Sequence, residues 1–252
     1  MLPVAIALAL LVAGCLHSGD AAPDCAVARA EPLYFGDTEP AQLELSPAQR
    51  AAIGLVESGS GDAACTGVLI ARGHVLTGAH CQIGEALSFL PSLGDATAVD
   101  ATAAVAHPTL DALLMQLEPD PQLDALAPIP LWSGPFDDLL GMEATLAGLG
   151  LTETGESGEL RFLDEEVVDL SDDEIVVDGM GRSGACVGDS GGPLLVATDD
   201  GRPRVAGVLS RGSHDCLGID VYVRADRLAN WVQQQIPTHC ATEQAIAATS
   251  SP

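Results

Sequence analysis

Short apolar runs rich in valine, leucine and isoleucine recur from about residue 51 to residue 225, broken by clusters of glycine, proline, aspartate and serine. In order they read AAIGLV, GVLIARGHVLTGA, ALLMQL, ATLAGLG, EEVVDL, EIVVDG, GPLLVAT, VAGVLS and VYVRA. Each is bounded by turn formers and most are too short for a core helix, so the pattern predicts strands in a mostly antiparallel sandwich or barrel. One stretch departs from it. In ADRLANWVQQQI, residues 225–236, Leu228, Trp231, Val232 and Ile236 recur at helical spacing, and Ala225-Asp226 can open the first turn. The fold class is therefore all-β with one C-terminal helix. A chain of 252 residues, 47% of them hydrophobic, is long enough for one large or two small cores. No repeat of solenoid or propeller length is visible.

The ends of the chain read differently. Residues 1–14, MLPVAIALALLVAG, are apolar, uncharged and too short to span a bilayer, the pattern of a signal peptide. Val12-Ala13-Gly14-Cys15 resembles the bacterial lipobox, which implies cleavage before Cys15 and acylation of that cysteine. The protein would then be exported and lipid-anchored to the cell envelope, or secreted if Cys15 is not acylated. Residues 15–32 read as a tether and 241–252 as a frayed tail. Seven cysteines are present; setting Cys15 aside leaves six, an even set that an exported chain tends to pair.

Charge excludes one class of partner. Ten arginines oppose 36 Asp and Glu, a formal net charge of −26, and such a surface repels the phosphate backbone of nucleic acid. The densest acidic stretch, LDEEVVDLSDDEIVVDG at 163–179, reads as solvated turns between strands. A calcium loop is the alternative, though the EF-hand spacing is missing. His17, His74, His107, His214 and His239 lack ligand spacing with one another, and neither a metal nor an organic cofactor is implied.

The segment CVGDSGGPLL contains a serine that fits two motifs. Gly188-Asp189-Ser190-Gly191-Gly192 satisfies the Gly-x-Ser-x-Gly elbow of α/β-hydrolases and also the Gly-Asp-Ser-Gly-Gly of trypsin-like peptidases. Order along the chain separates them. The elbow needs an acid and then a histidine after the serine on alternating strands and helices, which the remaining 62 residues do not supply. The other order needs a histidine and then an aspartate before it, and TGAHC offers His80 while HPTLDALLMQL offers Asp111. Together these three motifs, Thr77–Cys81, Asp111-Ala-Leu-Leu and Gly188–Pro193, resemble the chymotrypsin/trypsin family of serine peptidases from about residue 34 to 236.

That resemblance implies two six-stranded antiparallel barrels, about 33–130 and 131–240, with the site between them and ADRLANWVQQQI as the terminal helix. It implies that Ser190 attacks the peptide carbonyl, that His80 takes and returns the proton, and that Asp111 orients the imidazole. The amides of Gly188 and Ser190 would form the oxyanion hole, and Ser210 would support Asp111. Disulfides follow by the same resemblance, Cys65–Cys81 and Cys186–Cys216, which leaves Cys25–Cys240. Gly184 occupies the floor of the specificity pocket, Gly212 its entrance, and Asp220 puts a carboxylate on the opposite wall, so a preference for Arg or Lys, or a broad one, is expected. Asp189 stands where a cleaved N-terminal ammonium would pair, and Tyr34-Phe35-Gly36-Asp37 matches the family's start in degraded form, with Leu33 before it. Substrates would be proteins or peptides. The alternative is a catalytically silent binding protein or adhesive surface lipoprotein on the same scaffold.

Overall fold

The computed structural model describes residues 33–59, 64–84 and 86–236. The segments read as signal peptide, tether and tail, and with them Cys15, Cys25 and Cys240, lie outside the described residues.

The first barrel contains β1 (Ile53–Ser58), β2 (Ala64–Ala71), β3 (His74–Thr77), β4 (Leu87–Pro91), β5 (Val99–Ala106) and β6 (Leu113–Leu117). The second contains β7 (Glu143–Gly148), β8 (Arg161–Leu170), β9 (Glu174–Asp178), β10 (Pro193–Ala197), β11 (Pro203–Gly212) and β12 (Ile219–Arg224). Each closes antiparallel, in the orders β1-β2-β3-β6-β5-β4 and β10-β11-β12-β9-β8-β7. Read from β7, the second order is β7-β8-β9-β12-β11-β10, the same circuit as the first. The molecule therefore repeats a topology without repeating a sequence.

Three apolar clusters account for the patterning. One fills the first barrel around Val56, Leu69, Val75, Phe89 and Met115. Another fills the second around Leu146, Val167, Ile175, Leu194 and Tyr222. The third lies between the barrels and takes in Ile53, Val68, Leu76, Leu149, Phe162, Leu195 and Val208. A strand with solvent on one face alternates, as β4 does with every second residue buried. A strand with an interior on one face and the interface on the other reads as a continuous apolar run. So in β10 Leu194 and Val196 point into the second barrel while Leu195 points into the interface. Each such side chain contributes roughly 1.5–3 kcal/mol by leaving water.

The helix α1 (Ala225–Gln235) seats Leu228 and Val232 in the interface cluster, and its Trp231 ring meets the His107 imidazole edge-on at 5.2 Å. The acidic stretch 163–179 corrects an expectation. It is a strand hairpin, β8 and β9, with only 171–173 as its turn, and Glu165 is 3% exposed. Ladder pairing overrides local polarity here, because Val167, Ile175 and Val177 must face inward and the pleat carries Glu165 in with them.

Candidate active site

His80 follows β3 on a single 3₁₀ turn, Ala79–Cys81, tied back to β2 by the Cys65–Cys81 disulfide. The imidazole folds over Gly78, where a Cβ would stand 2.8 Å from its Cε1. Asp111 precedes β6. Its Oδ2 lies 2.7 Å from His80 Nδ1, and its Oδ1 accepts the His80 backbone N–H at 3.0 Å. From β11, across the interface, the Ser210 hydroxyl donates to Oδ2 at 2.7 Å.

Burial by itself would raise the Asp111 carboxyl, but hydrogen bonds from His80 and Ser210 and the His80 charge together hold it down to about 2. An ionised carboxylate is acceptor-only, so Nδ1 carries the proton and Nε2 presents a lone pair. The same hydrogen bond raises the His80 pKa, with burial opposing it.

Ser190 sits in a loop that folds on itself through Asp189 N–H to Cys186 C=O and Gly192 N–H to Asp189 C=O. Two glycines make the loop sterically accessible. Gly188 has φ +101° and Gly191 φ +78°, and a Cβ on Gly191 would stand 2.1 Å from Thr77 Oγ1. The Ser190 carbonyl accepts the Thr66 N–H at 2.8 Å and lies 3.7 Å from Cys81 Sγ, so the serine abuts the turn that carries His80. The backbone N–H groups of Gly188 and Ser190 have no protein acceptor among the described residues. Thr66 fastens the loop from the first barrel: its hydroxyl donates to the Gly188 carbonyl at 2.9 Å and accepts the Leu149 N–H at 3.1 Å.

Beside Ser190 opens a cleft of about 320 Å³, walled by Ala185, Cys186, Gly212, His214 and Cys216. The Cys186–Cys216 disulfide closes one side. Asp220 lies behind it, 1% exposed. Its Oδ2 accepts the Ala185 N–H at 2.6 Å, and its Oδ1 has no hydrogen-bond partner of normal geometry among the described residues, with the Ser213 amide nearby. The space at Gly184 and Gly212 admits this carboxylate: added Cβ atoms there would stand 3.2 Å and 2.2 Å from its oxygens. Burial raises the Asp220 pKa to about 7, with the Ala185 and Ser213 amides pulling it back part of the way. A larger cavity of about 450 Å³, bounded by Arg72, His74, Glu118 and Asp124, contains none of these groups.

Asp189 is 1% exposed and points away from the cleft, accepting the Gly150 N–H at 2.7 Å and the Cys186 N–H at 2.8 Å. Desolvation raises its pKa to about 7. Leu33, 2% exposed, is the residue that packs into the second barrel, while Tyr34 bridges Gly184 and Phe35 is exposed. Leu33 and Phe35 both take positive φ, +39° and +74°. Among the described residues one cluster has metal-ligand spacing, Cys65, His80 and Cys81, and its two sulfurs are bonded to each other.

Sequence reasoning passed over Thr66, which carries no motif, and Glu165, whose signal was the period-two pattern of Glu165 and Val167 in EEVVDL.

Two closed barrels with a histidine–aspartate pair from one meeting a serine loop from the other define a double-barrel serine-peptidase scaffold. Comparison with known families agrees: residues 42–232 match the trypsin family model, and the chain belongs to that family. Human kallikrein-7 is 26% identical over 207 residues, 69% of this chain and 78% of that protein. Serine protease 56 of Mus musculus is 29% identical over 218 residues, 71% of this chain and 36% of that protein. Serine protease filzig of Drosophila melanogaster is 27% identical over 189 residues, 59% of this chain and 11% of that protein.

Proposed function

We propose that the protein is a serine endopeptidase working through His80, Asp111 and Ser190. The observation that carries this reading is the hydrogen-bonded line from Ser210 through Asp111 to His80, ending beside a serine loop with two unengaged amides. A serine hydroxyl is a poor nucleophile at neutral pH, so His80 Nε2 removes its proton as Oγ attacks the substrate carbonyl. The tetrahedral oxyanion is received by the N–H groups of Gly188 and Ser190, each worth on the order of 3 kcal/mol at the transition state. His80 then returns the proton to the leaving amine, the acyl-enzyme forms, and water repeats the sequence to release the acid. Asp111 remains ionised throughout and balances the imidazolium. Because His80 must be neutral to act and Asp111 raises its pKa, activity falls with acid from above pH 6.5, the ordinary value.

The cleft beside Ser190 receives the side chain on the acyl side of the cleaved bond. Asp220 behind it supports a preference for Arg or Lys, since its orphaned Oδ1 gains a partner when a guanidinium or ammonium enters. The two disulfides support export. Acylation at Cys15 would hold the enzyme at the envelope. Leu33 buried beside the second barrel supports a docked chain start, with Asp189 as the acceptor of a freed ammonium.

A fluorophosphonate probe tests the chemistry and the anchoring together when applied to membrane and soluble fractions. Labelling of the native protein in the membrane fraction, lost in Ser190→Ala, is the expected result. No labelling of the native protein would reduce it to a binding protein. Peptides differing only at the acyl-side residue test the pocket, and no turnover of any basic member would remove the role of Asp220.

A further inference from the structure

A second carboxylate stands behind the pocket, on a different strand, and the chemistry above does not use it. Glu165 on β8 is 3% exposed; its Oε1 accepts the Ser183 hydroxyl at 3.1 Å, and its Oε2 has no hydrogen-bond partner. Ser183, Gly184 and Ala185 are consecutive, and Ala185 N–H is the donor to Asp220. The segment Ser183–Ala185, whose last residue lines the cleft, is therefore braced between two acids, Glu165 at its first residue and Asp220 at its third. Gly179 leaves room for the first of them, since a Cβ there would stand 2.4 Å from Glu165 Oε1. Both acids are almost fully buried and each has an unused oxygen, an arrangement that burial penalises unless something arrives to repay it.

We propose that Glu165 is a specificity-determining residue of this pocket: with Asp220 it forms a two-acid floor whose charge sets how strongly a guanidinium or ammonium side chain is drawn in. The inference rests on the reading that Asp220 selects basic side chains.

The surroundings supply no competing cation. Asp178 faces Glu165 from β9, Asp220 and Tyr222 from β12, and Ser183 from the segment before the serine-bearing loop. On β8 itself Asp164 is engaged by the Thr145 hydroxyl and Glu166 is exposed. Residue 144, opposite on β7, is alanine. Arg182 is exposed, and no ion pair to Glu165 or Asp220 forms among the described residues. Burial, reinforced by the charge of Asp220, raises the Glu165 carboxyl to about 8, and burial holds Asp220 at about 7. The floor thus passes from neutral to singly and then doubly negative as pH rises, while an arginine substrate stays cationic.

The test is the ratio of kcat/KM for two peptides that differ only in arginine or leucine on the acyl side of the cleaved bond, followed from pH 6 to 9.5. The ratio cancels the titration of His80, which both peptides share. In the native protein it rises about a hundredfold, roughly half of the logarithmic gain coming above pH 7.5, as expected for two charges acting through partly screened protein. Glu165→Gln keeps only about tenfold, carried mainly in KM of the arginine peptide. Glu165→Asp restores part of the upper rise.

A native ratio that stops rising by pH 7.5 overturns the proposal, as does a Glu165→Gln profile identical to the native one. In either case a ratio still lowered by Asp220→Asn leaves the reading of Asp220 intact. A native ratio near unity at every pH removes that reading and the inference with it. If Glu165→Gln fails to fold, the native profile alone decides.

Discussion

The two barrels share a strand circuit but treat their acids in opposite ways. The first barrel presents Asp111 at its rim, where the His80 ring and amide and the Ser210 hydroxyl surround the carboxylate and hold its pKa down to about 2. The second hides Glu165, Asp189 and Asp220 in its interior and loop, and burial pushes them up to about 8, 7 and 7. The same functional group is kept charged on one side and held near neutrality on the other. Burial and donors together make the difference: Asp111 is partly exposed and receives three donors, two of them from polar side chains, whereas Glu165, Asp189 and Asp220 are almost fully buried, and burial outweighs even the two amides that Asp189 accepts.

The largest effect should come from breaking the charged half. Asp111→Asn keeps the shape but removes the ionised acceptor that fixes the His80 tautomer, so kcat should fall roughly 10⁴-fold, a magnitude borrowed from the best-studied triad of this family. A loss under tenfold in steady-state hydrolysis would show that the charge on Asp111 is dispensable.

Next comes the covalent brace of that half. Replacing Cys65 and Cys81 with serine opens a loop of 16 residues and should cost about 3 kcal/mol in urea unfolding, with the His80 turn loosening first.

The second barrel is tested by pH. Its three buried acids have folded pKa values above their ordinary ones, so the folded chain keeps protons that the unfolded chain has released. Stability is then greatest below about pH 4, declines as pH rises and reaches its full deficit above about pH 8. Asp111 works in the opposite sense: its contribution is complete above its ordinary value of 3.8 and is lost as pH falls through about 2. Unfolding free energies at pH 5 and pH 8 should differ by several kcal/mol, on the order of 1.4 kcal/mol per shifted unit, the pH 5 sample being more stable. Asp220→Asn should flatten the slope. A rise in stability between those two pH values would break the contrast between the barrels.

The smallest effect falls on Ser210→Ala, which removes one donor from Asp111. A cost of about 1 kcal/mol at the transition state, five- to tenfold in kcat/KM, is expected, together with a measurable upward move of the Asp111 pKa.

These contrasts bear on what a sequence can disclose. The apolar runs located the strands because each face of each strand has a fixed environment, and even the uninterrupted runs make sense once an interface lies against the outer face. His80, Asp111 and Ser190 stood out in the sequence through their neighbours, and the structure sets Asp111 against His80 and Ser210. The duplicated circuit left no trace, since the barrels have the same strand order but not the same side chains. Glu165 was hidden by its acidic neighbours, which make a strand look like a solvated turn unless the alternation of Val167, Ile175 and Val177 is followed through.

Thr66 gives that shared architecture a mechanical meaning. One fully buried residue of β2 donates its N–H to the Ser190 carbonyl and its hydroxyl to the Gly188 carbonyl, while its own carbonyl accepts the Thr77 hydroxyl. The serine-bearing loop is thus clipped to the opposite half of the molecule beside the turn that carries His80. Any slippage between the halves would part the serine from the His80 turn well before either barrel lost its strands.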